Sequence, residues 1–268
     1  MIKLIMSDMD GTLLDENGQL PAGFADMAQE LKRRGVMFAP CSGRQYYSLL
    51  DTFAGYEDEF IFLAENGTMV RYHDKELFSS TLNRKLGMKA LQETRQNPGI
   101  YEVFCGKQGA YILADEETTA FQDELRKYYT HAEVVDSFAD IDDELIKCSF
   151  FDESGNADTR IYPYLQKYEG PFQVATSSAY WVDVMNYDIN KGIAIQQVQK
   201  KLHITPMECA AFGDFLNDVE MMSSVYYSFA MENAHPKIKE LARFQTASNR
   251  EHGVLQGIQK LIDDGLCG

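Results

Sequence analysis

The chain opens on a short apolar run, Ile2 to Ser7, that stops abruptly at polar residues, which suits a buried strand. Pro21 then opens a helical pattern with Phe24, Met27, Ala28 and Leu31 on one face, and Gly35 fits the stop after Arg33 and Arg34. Val36 to Pro40 reads as a second strand, followed by Ser42-Gly43 and a helix near Gln45 to Asp51. Phe60 to Ala64 reads as a third strand. This β-α-β-α-β order predicts a parallel sheet with helices on both faces.

The pattern then changes. Thr68 to Tyr72 and Glu76 to Ser80 look like a hairpin. An amphipathic helix is expected near Asn83 to Gln96, strands near Tyr101 to Cys105 and Ala110 to Ala114, and a helix near Thr118 to Tyr129. Strands near Leu145 to Phe151, Phe172 to Ala175 and Tyr180 to Met185 complete the stretch. Its size, about 100 residues, is that of an independent α+β domain. The alternating pattern resumes with a helix from Asn190 to Leu202 and a small-residue strand from Cys209 to Phe212. A strand from Tyr226 to Ala230 follows, and a helix near Gly253 to Asp263 closes the chain. The expected division is a core of residues 1–82 and 188–268 around an insertion of residues 83–187.

Composition narrows the function more than the fold. At 268 residues and 45% hydrophobic content, the chain can bury a sizeable core. A formal net charge of -16 argues against nucleic acid and acidic membrane surfaces as partners, because both need cationic groups. It does not exclude a small anion, since a bound metal can reverse the local field. The five cysteines form no CxxC pair and read as free thiols of a reducing cytoplasm, and the histidines show no zinc spacing. The N-terminal apolar run is too short for a signal peptide or a membrane span.

In an open parallel sheet, ligands bind at the carboxyl ends of the strands, and four polar clusters fall there or at the helix starts that face them. Asp8-Met9-Asp10-Gly11-Thr12 places two carboxylates directly after the first strand, with Gly11 allowing a sharp turn. A plain turn with solvated acids would read the same way. Ser42-Gly43-Arg44 follows the second strand and offers a hydroxyl and backbone amides to a phosphate, or simply an N-cap. Lys191, after the N-cap candidate Asn190, falls in a first helical turn, where a cation opposes the helix dipole. Gly213-Asp214-Phe215-Leu216-Asn217-Asp218 puts Asp214 at the end of a strand; Asn217 could cap the next helix, with Glu220 three residues on. Together the acids Asp8, Asp10, Asp214 and Asp218 would repel one another if buried, and so call for a cation. All-oxygen ligation suits magnesium.

These four clusters, in this order, resemble the four motifs of the haloacid dehalogenase superfamily: DxDGT/L, S/T-G, K and GDxxND. The position of the insertion resembles the C2 cap of the Cof-type branch, as do the phrases Ala64-Glu65-Asn66-Gly67 and Ala230-Met231-Glu232-Asn233-Ala234. The resemblance implies a Rossmann-like, doubly wound α/β core with a specificity cap. It implies a magnesium-dependent phosphatase of small cytoplasmic phosphate esters, such as sugar phosphates or cofactor-related phosphates. Asp8 would be the nucleophile and Asp10 the general acid and base. Ser42, Gly43, Lys191 and Asn217 would hold the phosphoryl group. Asp8, the Asp10 carbonyl and Asp214 would hold Mg2+, with Asp218 orienting the metal's surroundings. Arg44 and Asp183 are candidates for substrate contacts. A monomer or weak homo-oligomer is expected. A phosphomutase of the phosphomannomutase type is the alternative reaction, and a non-catalytic ligand-binding protein on this fold the alternative class.

Overall fold

The structure, a computed structural model, describes residues 1–73, 75–114 and 118–268. Two compact units divide the chain: Met1–Phe78 with Asn190–Gly268, and Ser79–Ile189.

The first unit begins with β1 (Leu4–Ser7), α1 (Phe24–Arg33), β2 (Met37–Pro40), α2 (Tyr46–Thr52) and β3 (Phe62–Ala64). A hairpin, β4 (Met69–Tyr72) and β5 (Lys75–Ser79), continues antiparallel from β3. Five parallel strands make the main sheet, and β1 lies inside it, between β2 and a strand formed two hundred residues later. All four residues of β1 are buried, which is why its sequence is an uninterrupted apolar run rather than an alternation. The third strand runs along the outer side of β2 through a Cys41–Leu63 bridge and a 3.1 Å bond from the Ile61 N–H to the Phe38 carbonyl. Phenylalanines glue the helices to this edge: Phe24 of α1 meets Phe38 of β2 at 5.5 Å, and Phe53 after α2 meets Phe60 at 5.6 Å.

The second unit contains α3 (Arg84–Thr94), β6 (Ile100–Gly106), β7 (Ala110–Leu113), α4 (Thr119–Tyr128), β8 (Ala132–Val135) and β9 (Leu145–Asp152). It ends with α5 (Ala157–Arg160), α6 (Tyr162–Leu165), β10 (Phe172–Thr176) and β11 (Trp181–Asn186). Six strands form one sheet in the order β10-β11-β9-β6-β7-β8, antiparallel except for the β7–β8 pair. On one face, Leu91 of α3, Ile161 and Leu165 pack with Phe104, Phe150, Val182 and Val184. On the other face, Phe121 of α4 stacks on Tyr101 at 4.8 Å and on Phe151 at 5.6 Å. Asn83 and Thr118 cap α3 and α4 by accepting from the Leu86 and Phe121 amides.

The chain then returns to the first unit with α7 (Lys191–Leu202), β12 (Cys209–Gly213), α8 (Val219–Ser223), β13 (Tyr227–Ala230), α9 (Pro236–Leu241), β14 (Phe244–Gln245) and α10 (Gly253–Asp263). The complete strand order, β14-β13-β12-β1-β2, is that of a doubly wound α/β sheet. The missing side chain of Gly257 lets α10 approach β12 closely: a Cβ there would stand 2.4 Å from the Phe212 ring. The elements β8, α5, α6, α9 and β14 are not foreseen by the hydrophobic pattern. Among the described residues, no helix is long and apolar enough to cross a membrane.

Candidate active site

Strand order reverses direction at β1: β2 lies on one side of it and β12 on the other. A crevice is expected at such a point, and the residues that end β1 and β12 are the acidic ones. The Asp8 amide donates to the Phe212 carbonyl at 3.0 Å, so β1 runs into its turn still paired with β12. The turn Met9–Leu13 then passes through Gly11 at φ 78°. Only glycine fits there, since a Cβ would stand 2.4 Å from Asp214 Oδ2. Thr12 completes the junction by donating to Asp214 Oδ1 at 2.8 Å, and Asn233 Nδ2 donates to the Gly11 carbonyl at 2.7 Å.

Three carboxylates converge. Asp8, Asp214 and Asp218 each offer an oxygen within 4.8 Å of the others. Asn190 caps α7 by accepting from the Ile193 amide at 2.9 Å, which sets Lys191 as the first helical residue. Lys191 is 0% exposed and reaches both acids, donating to Asp8 Oδ1 and, at 2.6 Å, to Asp218 Oδ1. A cation in a first helical turn is unfavourable for the helix dipole, and these two carboxylates are the compensation. The other oxygen of Asp218 accepts from the Asp214 and Phe215 amides at 3.0 and 3.2 Å. Asp218, not Asn217, therefore ties down the start of this turn.

The charges are frustrated. Burial pushes the Asp8 carboxyl well above its usual range; the Asp218 and Asp214 charges add to this, and Lys191 opposes it. Asp214 is pushed up to about 6, mainly by burial, with Asp218 adding and the Thr12 hydrogen bond opposing. Burial alone would lower Lys191, but Asp218 and Asp8 outweigh it and hold the ammonium charged. One ammonium offsets one of three carboxylates. The remaining charge and the oxygen-only donor set fit a hard divalent cation.

Asp10 is placed differently. Its side chain is 55% exposed, and its carboxylate is gripped by the Arg44 guanidinium, Nε on Oδ2 at 2.9 Å and a terminal nitrogen on Oδ1 at 2.5 Å. Its carboxylate thus stands apart from the acidic trio, and only its main-chain carbonyl is left as the metal ligand that the motif implies. The sequence offers Arg44 as a substrate contact; the fork to Asp10 is a longer-range relation that sequence spacing does not show.

Ser42 is buried; its hydroxyl accepts from the Arg44 amide at 3.2 Å, a local turn that keeps the Ser42–Gly43 segment compact. Beside it lies the turn Glu65–Gly67, with φ of 53°, 55° and 94°. For Glu65 and Asn66 that backbone costs on the order of 1 kcal/mol each. Asn217 is exposed and donates from Nδ2 to Asn66 Oδ1 at 3.4 Å. Cys41, buried next to the site, has its thiol pushed up to about 12 by burial, which removes it as a nucleophile. Asp183 lies in the second unit, where it accepts from Ser149 at 2.5 Å and from Ser177, with Lys147 Nζ at 3.9 Å.

The model of the haloacid dehalogenase-like hydrolase family matches residues 5–258. The chain belongs to that family. This haloacid dehalogenase-like hydrolase is 32% identical over 267 residues to the 5-amino-6-(5-phospho-D-ribitylamino)uracil phosphatase YbjI of Escherichia coli K12, covering 97% of this chain and 96% of the relative. It is 26% identical over 261 residues to YcsE of Bacillus subtilis 168, a phosphatase with the same name, covering 97% and 96%. A solved haloacid dehalogenase-like hydrolase from Bacteroides thetaiotaomicron shares the fold at a TM-score of 0.87 and 20% identity, over 97% of this chain and 100% of that one. The hydrolase is an enzyme, and its class is that of the phosphatases.

Proposed function

We propose that this hydrolase cleaves phosphomonoesters of a small metabolite with Mg2+, through a phosphoryl group carried on Asp8. The observation that supports this most is the converging trio of buried Asp8, half-buried Asp214 and buried Asp218, only partly neutralised by Lys191. Asp8, the Asp10 carbonyl and Asp214 would hold the metal, with Asp218 steadying the amides around it. When bound, the ion supplies positive charge against the negative charge that spreads over the phosphoryl oxygens in transfer.

The chain's own groups account for the remaining steps. Ser42, the Gly43 amide, Lys191 and Asn217 hold the phosphoryl oxygens. An Asp8 oxygen attacks phosphorus and the ester oxygen departs, taking a proton from Asp10. The Asp10 carboxylate next takes a proton from water; that water attacks the phosphoryl group on Asp8, releasing phosphate and restoring both acids. The two hydrogen bonds from Arg44 would hold the Asp10 carboxylate in place.

Two relatives are named for a phosphorylated ribitylamino-uracil, which puts phosphate esters of polyols attached to a pyrimidine first among candidate substrates. The unit Ser79–Ile189 would act as the cap that selects among them. Asp8→Asn should abolish p-nitrophenyl phosphate hydrolysis with an unchanged melting curve, and EDTA should silence the wild type until Mg2+ is restored. Substantial turnover by the variant would sink the nucleophile assignment, and full activity in EDTA the metal assignment.

A further inference from the structure

One turn touches three of the four motif segments and has no role in the scheme above. Glu65–Gly67 leaves β3 with three successive residues at positive φ, two of them not glycine. Its backbone is bonded to the second motif: the Glu65 amide donates to the Arg44 carbonyl at 3.0 Å and the Asn66 amide to the Ser42 carbonyl at 2.9 Å. Its glycine lies on the third: a Cβ on Gly67 would stand 2.6 Å from the Asn190 carbonyl oxygen, one residue before Lys191. Its side chain meets the fourth, where Asn66 Oδ1 accepts from Asn217 at 3.4 Å. The same amide group lies against Gly43, where a Cβ would stand 3.1 Å from both Nδ2 and Oδ1 of Asn66.

We propose that Asn66 is a positioning residue of the phosphate site, setting the Ser42–Gly43 loop and Asn217 at a fixed separation. The left-handed backbone is what aims its side chain between them; asparagine is among the few non-glycine residues that tolerate it. A plain turn-former would suffice if the backbone were all that mattered. Gly43 carries the complementary signal, since any side chain there would displace the Asn66 amide. This rests on the assignment of Ser42, Gly43 and Asn217 to phosphate.

Asn66→Gly separates the two roles, because glycine keeps the positive φ and removes only the side chain. Binding of inorganic phosphate to the Mg2+-loaded protein is measured by calorimetry for wild type, Asn66→Gly, Asn217→Ala and the double variant. Asn66→Gly should melt within a few degrees of wild type and bind phosphate about 10-fold more weakly. In the double variant the two losses should overlap rather than multiply, because Asn66 acts through Asn217. Unchanged phosphate affinity in Asn66→Gly, or losses that multiply fully, would overturn the role of Asn66. Wild type that binds no phosphate would instead remove the phosphate assignment on which it rests.

Discussion

Lys191→Met isolates the cation that the fold has built into the site. The substitution keeps much of the buried stem's volume and deletes the ammonium between Asp8 and Asp218. Both acids are buried, Asp8 at 6% and Asp218 at 0% exposure, so neither can turn to water in exchange. Breaking a buried pair from one side costs about 3–5 kcal/mol, because it strands the opposite charge. For a protein of this length that corresponds to a drop of roughly 6–20 °C in melting temperature. The pH dependence has a definite sign. Asp8 already binds its proton more tightly when folded than when unfolded, and loss of Lys191 removes the main influence opposing this. Folded-state proton retention means that stability falls as pH rises from the unfolded carboxyl value toward the raised one. The variant's deficit should therefore be smaller near pH ~5 than near pH ~8. Calorimetric melting of metal-free protein at both pH values is the assay, with the exposed Lys200→Met on the same helix as control, expected within about 0.5 kcal/mol of wild type. A deficit below about 1 kcal/mol at neutral pH, or one that shrinks as pH rises, would refute the charge accounting.

Two further outcomes follow from the same geometry. Protons compete with a metal for Asp214, which is pushed up to about 6, so Mg2+ affinity measured by titration should strengthen as pH rises through that value; pH-independent affinity would count against Asp214 as a ligand. If Arg44 holds Asp10 for proton donation, Arg44→Met should lower kcat/KM for alkyl phosphates at least about 10-fold more than for p-nitrophenyl phosphate, whose leaving group needs little help. Equal losses on both substrates would leave Arg44 as a binding residue only.

The sequence carries the core of this fold legibly because β1, β2 and β12 are buried on both faces and so read as unbroken apolar or small-residue runs. Strand β8 escapes notice because it is an edge strand whose residues are half or fully exposed, leaving no hydrophobic signature. Helices α5, α6 and α9 span four to six residues each, too short for a helical period to register. At the site, the acids and Lys191 stand out by local composition, since each breaks a rule of its own element. The fork from Arg44 to Asp10, the Thr12–Asp214 bond and the Asn66–Asn217 contact do not, because they join residues 34, 202 and 151 positions apart through the folded sheet. The positive φ values at Glu65 and Asn66 likewise leave no trace in residue type beyond one asparagine before a glycine.

The position of β1 has a bearing on how the protein is made. It is made long before β12, which begins at Cys209, yet one of its two hydrogen-bonding edges belongs to that strand. Until β12 is made, that apolar edge is exposed and unpaired, the kind of surface that invites association with other chains. Ser79–Ile189, being a continuous stretch, meets no such delay. Arrested nascent chains ending before Cys209 should thus be cut readily by protease within Met1–Phe78 while the intervening unit resists; equal resistance of both would show that β1 finds an earlier partner. Asp8 is synthesised well ahead of Lys191, Asp214 and Asp218, and its surroundings do not exist until all three have followed.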